Sequence, residues 1–485
     1  MEKYKALIGL EMHCEISETK TKVFSSAKNG YSSIPNTYIR PVDMGFPGTL
    51  PVLCKEAVRK AILASMILNC KQPEYMYFER KNYYYPDLPK GYQITQETKP
   101  APVGIYGSLT FDVEDREKTV RIDNIHLEED AASTTHIGSI SKIDYNRAGV
   151  PLLELVTYPD MHSAKEAVAF LEEMRRIYQY AGISEADSKK GQIRCDVNVS
   201  IMDATLDETK EENWGTKVEI KNVNSFGGVR DAITYEIQRQ VELKEKGTYD
   251  TMKQQTRRWN EDTMETVYMR SKVNAIDYRY FVEPNIPKFK IDPEWLEKIR
   301  GEIPVLPRER KKKYEEELGL STYDAKVLVK ERNVADYFEE ILTYQVGPKE
   351  ASNWITSIIL GHLNKEEIDI KDLFVTPKML ADLIHLVKEG KISSKQGKEV
   401  LYKALARREE PTTIVEKEGM AQIGKEEDLH KVVLEVLEEN ESAKVQYQAG
   451  KTNILDYLVG QVMRKTRGKA SPAITMKILR EEMEK

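Results

Sequence analysis

Read two residues at a time, the stretch IGLEMHCEIS (8–17) splits into two sides. Ile8, Leu10, Met12, Cys14 and Ile16 fall on one, and Glu11, His13 and Glu15 on the other. Period two is the pattern of a half-buried strand. The same alternation recurs in QIRCDVNVSI (192–201), where Arg194, Asp196, Asn198 and Ser200 oppose an apolar row, and in TKVEIKNVNSF (216–226), with Lys217, Glu219 and Lys221 opposite Val218 and Ile220. RIDNIHLEEDAAS (121–133) ends in the acidic run Glu128, Glu129, Asp130. In VPLLELVTYP (150–159), Glu154 sits inside an apolar run and needs a buried partner. Together these segments predict a mainly antiparallel sheet, with one face packed on helices and the other lined by carboxylates, amides and basic groups.

Helical spacing is sparse in this first part. HSAKEAVAFLEEMRRIYQYAG (162–182) carries an S-x-x-E capping box at Ser163 and Glu166 and closes at Gly182. From about 293 the texture changes to amphipathic Lys/Glu/Leu helices such as PEWLEKIRGEI and VADYFEEILTYQ. A Pro- and Gly-containing stretch near 405–424 reads as a linker before a last helical unit. The pattern therefore predicts an α+β fold: a sheet domain over 1–292, a helical domain over 293–410 and a helical tail over 411–485.

Composition narrows the class. The chain has 485 residues, 31% charged and 40% hydrophobic, which suits a globular protein of two or three domains. It lacks the run of about 18 apolar residues that a membrane span needs, and the start MEKYKALIGL goes straight into a strand pattern with no secretory signal. The four cysteines, Cys14, Cys54, Cys70 and Cys195, show no C-x-x-C pairing, so a cytoplasmic, reducing setting is expected. With a net charge of −6, any nucleic-acid contact has to come from local basic patches.

For any one strand, a solvated outer face accounts for the polar row. Four such rows carrying Glu and Asp bring a second reading level with it: a hard divalent cation, with Lys and Arg beside it for phosphate. His13 is an unusual ligand for magnesium, which prefers oxygen. No familiar phosphate loop is present. AGKTN (449–453) contains Gly450-Lys451-Thr452 but has Val445 where a Walker motif needs Gly. If a nucleotide is used, it binds on an unfamiliar surface, for which the polar sheet is the candidate. Two further stretches stand out. ERKNYYYPDLPKGYQITQ (79–96) is broken by Pro86, Pro89 and Gly91 and is expected as loop or irregular strand. Residues 254–284 interleave Arg257, Arg258, Arg270 and Arg279 with Trp259, Tyr278, Tyr280 and Phe281, a mixture suited either to phosphate and base contact or to a cation–π core edge.

IGLEMH, HLEEDA, RAGVPLLEL, RCDVNVS, EIKNVNSF, TRRW and DYRYFVEP, in that order, resemble the B-subunit family of the aspartyl/glutamyl-tRNA(Asn/Gln) amidotransferases, and the likeness continues through SSKQGKEV and DYLVGQVMRKTRGKASP. The resemblance implies an antiparallel-sheet cradle of the glutamine synthetase and guanidino kinase type. It implies ATP-dependent phosphorylation of the side-chain carboxylate of Glu or Asp mischarged on tRNA, followed by displacement of phosphate by ammonia. It implies Mg2+ held by Glu11, His13, Glu129 and Glu219, with Glu154 a further candidate. Glu11, His13, Lys81 and Glu154 are expected in the catalytic set, Lys81 where ammonia enters. Arg194, Asn198, Ser200, Lys221, Asn222, Arg257 and Arg279 are expected to hold ATP. Strict alternation groups Glu128, not Glu129, with His126 and Asp130, so the two readings differ by one residue unless a β-bulge intervenes.

This chain has no Ser-Ser-Lys amidase pattern, so the resemblance implies that ammonia comes from a partner amidase with glutaminase activity, and that a small third protein joins the pair. It implies tRNA contact through the tail, where Arg464, Lys465, Arg467 and Lys469 form a basic run beside Gly468. Where many relatives carry four zinc-binding cysteines this chain has Ser25, Ala27, Arg40 and Asp43, so no zinc is expected. Asn285 stands where an acidic residue is usual. A noncatalytic tRNA-binding adaptor and a small-molecule ATP–carboxylate ligase are the competing readings. The first has no use for the acidic cluster, and the second has none for the basic tail.

Overall fold

The alternation of residues 4–15 becomes a long strand whose Ile8, Leu10, Met12 and Cys14 are buried while Glu11, His13 and Glu15 remain partly open. In the computed structural model, which describes residues 3–114, 116–223, 225–271, 277–420, 426–448, 453–466 and 470–484, the chain forms two compact units, 1–306 and 307–485. The strands of the first unit are β1 (Tyr4–Glu15), β2 (Tyr75–Met76), β3 (Glu79–Asn82), β4 (Tyr92–Thr95), β5 (Gly104–Val113), β6 (Arg116–Glu129), β7 (Ser133–Ile137), β8 (Ile140–Asp144), β9 (Pro151–Thr157), β10 (Ile193–Asp203), β11 (Val218–Val223), β12 (Gln255–Asn260), β13 (Glu265–Ser271), β14 (Phe281–Val282) and β15 (Phe289–Lys290).

Eight of them form one sheet in the order β13-β12-β11-β10-β1-β9-β6-β5. Neighbours are antiparallel except β11 and β12, which run parallel. The helices α1 (Lys55–Ile67), α2 (Ala164–Tyr180) and α3 (Phe226–Glu245) bury their apolar stripes, among them Ala61, Phe170, Met174 and Ile233, with the inward rows of these strands. Each fully buried large aliphatic or aromatic side chain contributes roughly 1.5–3 kcal/mol, so this layer fixes which sheet face is dry. The opposite face is left to the polar rows. The fold is thus mixed α/β, with a large antiparallel-dominated sheet and a helical C-terminal region.

Local signals act as expected at α2. The Ser163 hydroxyl accepts the Glu166 N–H, while the Glu166 carboxylate reaches back to the His162 N–H at 2.9 Å. Gly182 adopts φ +60 just past the helix end. The proline-broken stretch 79–96 resolves into β3 and β4 joined across the turn that holds Pro86 and Pro89. The first unit runs past the expected boundary at 292, because α4 (Pro293–Arg300) buries Ile299 against the sheet-domain core and Ile303 and Leu306 follow it.

The second unit is helical and contains two hydrophobic clusters, one within 314–415 and one within 429–483. The stretch read as a linker near 405–424 contains a helix, Pro411–Lys417, whose Ile414 and Val415 are buried in the first of these clusters. Gly450, Lys451 and Thr452, and Arg467, Gly468 and Lys469 of the basic run, lie outside the described residues. Lys465 is described and bonds Glu435 and Glu439 at 2.9 and 2.8 Å. No helix among the described residues is long and apolar enough to cross a membrane.

Candidate active site

Register brings the polar rows together. His13 on β1 lies opposite Glu154 on β9 and Arg194 on β10, and Glu154 lies opposite His126 on β6. One repeat along, Glu11 pairs with Asp196, and Asn198 pairs with Glu219 of β11. These side chains share a face because side chains alternate along each strand and adjacent strands keep register. Among the residues lining a cavity of about 590 Å³ there are His13, Lys81, Glu128, Asp130, Glu154, Arg194, Asp196, Lys221, Asn222 and Arg258.

Two groups of possible metal ligands result. The ligand atoms of His13, Glu128 and Glu154 lie within 4.8 Å of one another, and so do those of Glu11, Asp196 and Glu219. Five carboxylates and one imidazole suit a hard cation such as Mg2+ or Mn2+. In the first group Glu154 is flanked by two imidazoles, with His13 Nε2 at 3.2 Å and His126 Nε2 at 3.3 Å from its Oε2. Burial alone would push the Glu154 carboxyl up, but the two histidines, His13 foremost, hold it well below the usual carboxylate range. Burial opposes charge on His126 too, yet Glu154 and Glu128 raise its imidazolium to about 10. In the second group the Asn198 amide donates to Glu11 at 2.9 Å, Thr256 donates to Glu219 at 2.8 Å, and Lys221 bridges Asp196 and Glu219 at 2.5 and 3.2 Å. Lys221 is raised despite its burial, because both carboxylates favour its charge.

Beside these groups Asp130 is buried between Arg194 at 2.8 Å and Arg147 at 2.6 Å. Burial disfavours its charge, but the two guanidiniums, Arg194 first, keep its carboxyl low. Arg147 also reaches Glu15 at 3.0 Å. Arg194 is therefore oriented from behind, with part of its side chain open to the cavity. Lys81 bonds Glu97 at 2.9 Å with its ammonium 5.1 Å from the centroid of Tyr278.

The expected metal set Glu11, His13, Glu129 and Glu219 is not brought together. Glu129 turns to the other side of β6, where Lys90 holds it at 2.6 Å and the Ile94 N–H donates at 2.9 Å. Glu128, rather than Glu129, stands beside His13 and Glu154. Register does shift in β6, but between Ile122 and Asn124, upstream of the acidic run, so alternation from Asn124 onward is unbroken. Arg257 also faces away. It donates to the Thr266 hydroxyl and carbonyl at 2.8 and 2.6 Å, next to Glu236 of α3, whereas its neighbour Arg258 lines the cavity. Ser200 is buried beyond the cavity lining, and Arg279 is exposed outside it, with φ +49. Asn222 lines the cavity with φ +66, a left-handed conformation that Asn tolerates better than most residues.

Sequence reasoning named His126, Asp130 and Asp196 only as members of their strands. Alternation gave their face, but their partners belong to other strands. Asn285 gains an explanation: its backbone and side-chain N–H groups both donate to Glu283, a buried carboxylate paired with Arg80, and an acidic side chain there could not donate. Ser25, Ala27, Arg40 and Asp43 form one cluster. The Asp43 carboxylate accepts from the Ser25 hydroxyl at 3.0 Å and the Arg40 N–H at 2.8 Å, and Ser25 accepts the Ala27 N–H. With one carboxylate and no thiolate or imidazole, this set does not suit zinc.

A sheet face bearing two adjacent carboxylate groups and flanking cations belongs to a recognised catalytic domain. Residues 6–297 match the family described as the GatB/GatE catalytic domain, and residues 336–483 match that described as the GatB domain. The B subunit of the aspartyl/glutamyl-tRNA(Asn/Gln) amidotransferase of Persephonella marina is 46% identical over 479 residues, covering 99% of each chain. The proteins of the same name from Geobacillus kaustophilus and a Synechococcus strain are 44% and 42% identical, each covering 99% of this chain and 99% and 98% of their own. The chain belongs to the B-subunit family of the aspartyl/glutamyl-tRNA(Asn/Gln) amidotransferases.

Proposed function

We propose that the sheet face activates the side-chain carboxylate of Glu or Asp esterified to tRNA(Gln) or tRNA(Asn), and that the chain completes the amidation with ammonia from a partner protein. The observation that carries this reading is the pair of ligand groups on one sheet face, the first lining the cavity and the second reaching it through Asp196, with Arg194, Lys221 and Arg258 in the same lining. A carboxylate is inert to amines and its acyl phosphate is not. The substrate carboxylate oxygen attacks the γ-phosphorus of ATP, and the bond to the bridging oxygen breaks with ADP leaving. Ammonia then forms a bond to the carbonyl carbon, and phosphate leaves with the displaced proton. Phosphoryl transfer depends on positioning and charge neutralisation. His13, Glu128 and Glu154, and Glu11, Asp196 and Glu219, would hold divalent cations, which offset phosphate charge when bound. Arg194, fixed by Asp130, and Arg258 and Lys221 offset the rest. Lys81 at the cavity wall suits the arrival of the nucleophile.

On this reading the first unit is the kinase cradle, of the type seen in glutamine synthetase and guanidino kinases. The helical region and its tail contact tRNA, a partner amidase supplies ammonia, and a small third protein completes the assembly, which works in the cytoplasm. The test uses the assembled complex with Glu-tRNA(Gln), ATP, Mg2+ and ammonium chloride. Glu154→Gln should abolish both ADP and Gln-tRNA formation while tRNA binding persists. Conversion at the parental rate would leave the chain a tRNA-presenting adaptor.

A further inference from the structure

Behind the first ligand group lies a side chain that the proposed chemistry leaves without a task. His126 is buried, with 2% of its surface exposed, and does not line the cavity. Its ring Nε2 lies 3.3 Å from Glu154 Oε2 and 3.7 Å from Glu128 Oε2, within ion-pair reach of both carboxylates though in hydrogen-bond alignment with neither. Its Nδ1 lies 2.8 Å from Asn124 Oδ1, two residues earlier on the same face of β6. The Asn124 amide nitrogen donates to Asp123 at 3.0 Å, which fixes the amide so that its oxygen faces the ring. An amide oxygen only accepts, so Nδ1 carries the hydrogen and the ring orientation is set.

Glu128 and Glu154 must stand close together to share a cation, and without a partner their charges drive them apart. Glu128 accepts from a neutral donor, the Thr95 hydroxyl at 3.2 Å. His126 lies within ion-pair reach of both carboxylates and is buried outside the cavity lining. We propose that His126 is a positioning residue that holds Glu128 and Glu154 side by side at the spacing a hard cation needs, without ligating the cation itself. This rests on the metal reading of the site. Residues of this kind, which orient metal ligands from behind, typically change metal affinity by about 10–100-fold when replaced.

The test uses the assembled complex carrying His126→Gln, with His13→Gln alongside. In His126→Gln the Mg2+ concentration for half-maximal Gln-tRNA formation should rise about 10–100-fold, and excess Mg2+ should restore most of the rate without a change in KM for Glu-tRNA. In the Mn2+-loaded complex, electron spin-echo spectroscopy should detect a directly bound imidazole nitrogen that survives His126→Gln and disappears in His13→Gln. A half-saturating Mg2+ concentration within twofold of the parent overturns the proposal. So does loss of the nitrogen signal in His126→Gln, which would make His126 a ligand. If His126→Gln does not fold, Asn124→Leu, which releases the ring, should shift the Mg2+ requirement in the same direction, and an unchanged requirement overturns the proposal. Failure of the parent complex to bind Mn2+ at all would instead sink the metal reading beneath it.

Discussion

Glu128 and Glu129 are adjacent in sequence, both buried and both acidic, yet the fold gives them different work. Replacing each by Gln separates the two tasks. Glu129→Gln keeps an oxygen for the Ile94 N–H but removes the charge opposite Lys90, whose side chain is only 11% exposed. Breaking a buried pair from one side costs about 3–5 kcal/mol, because the remaining charge loses its compensation. At about 2 °C per kcal/mol for a large cooperative unit, the first unit should melt roughly 6–10 °C lower. Below that temperature, the metal requirement and turnover should be near parental. Glu128→Gln keeps an acceptor for Thr95 and removes one of two like charges beside His126. Because His126 keeps Glu154 as a partner, the stability of this variant should fall less than that of Glu129→Gln, while on the proposed reading ammonium-dependent Gln-tRNA formation falls at least about 100-fold through the lost cation ligand. Circular dichroism melts and single-turnover assays on the same preparations measure both. The reverse pattern, an inactive but stable Glu129→Gln beside an active Glu128→Gln, would refute the facing assigned to β6.

Arg257 and Arg258 offer the same contrast on β12. Arg258→Ala should raise KM for ATP with little change in melting, whereas Arg257→Ala should lower the melting temperature and leave KM for ATP unchanged, as read by ADP release and thermal melts. Glu283 supplies a pH prediction. Burial pushes its carboxyl up, but Arg80 and the Asn285 N–H groups outweigh this and hold it below the ordinary 4.5. A depressed folded-state value contributes stability that is present above about 4.5 and lost as pH falls through the folded value. Glu283→Gln should therefore be less stable than parent at neutral pH, with a difference that narrows below about pH 4.5. Urea midpoints, followed from neutral pH down to about pH 3, that run parallel for the two proteins would remove this account.

Several features were legible in the residue order because they depend on neighbours along the chain. Ser163 and Glu166 announced α2, and the alternation in IGLEMHCEIS gave β1 and the side on which Glu11 and His13 lie. Alternation also placed Glu128 on the cavity side, although the family pattern favoured Glu129. Other features were not legible. TRRW offers two adjacent arginines, and only the pairing of Lys221 with Arg258 in the parallel β11–β12 ladder decides which one faces the cavity. The domain edge moved from 292 to 306 because Ile299 finds its apolar partners in the sheet-domain core, a contact between segments far apart in sequence.

Sequence alone determined the half-buried strands, the capped helices, the change to helical texture and the family likeness, since each is written in spacing a few residues long or in ordered motifs. Tertiary structure decided which carboxylates stand side by side. His126, Glu154, His13 and Arg194 come from four strands, and the residues between them carry no information about cross-strand register. Charge interactions depend on distance through space and on how much water remains between the groups. Those quantities exist only after the sheet has paired and one of its faces has been covered by helices.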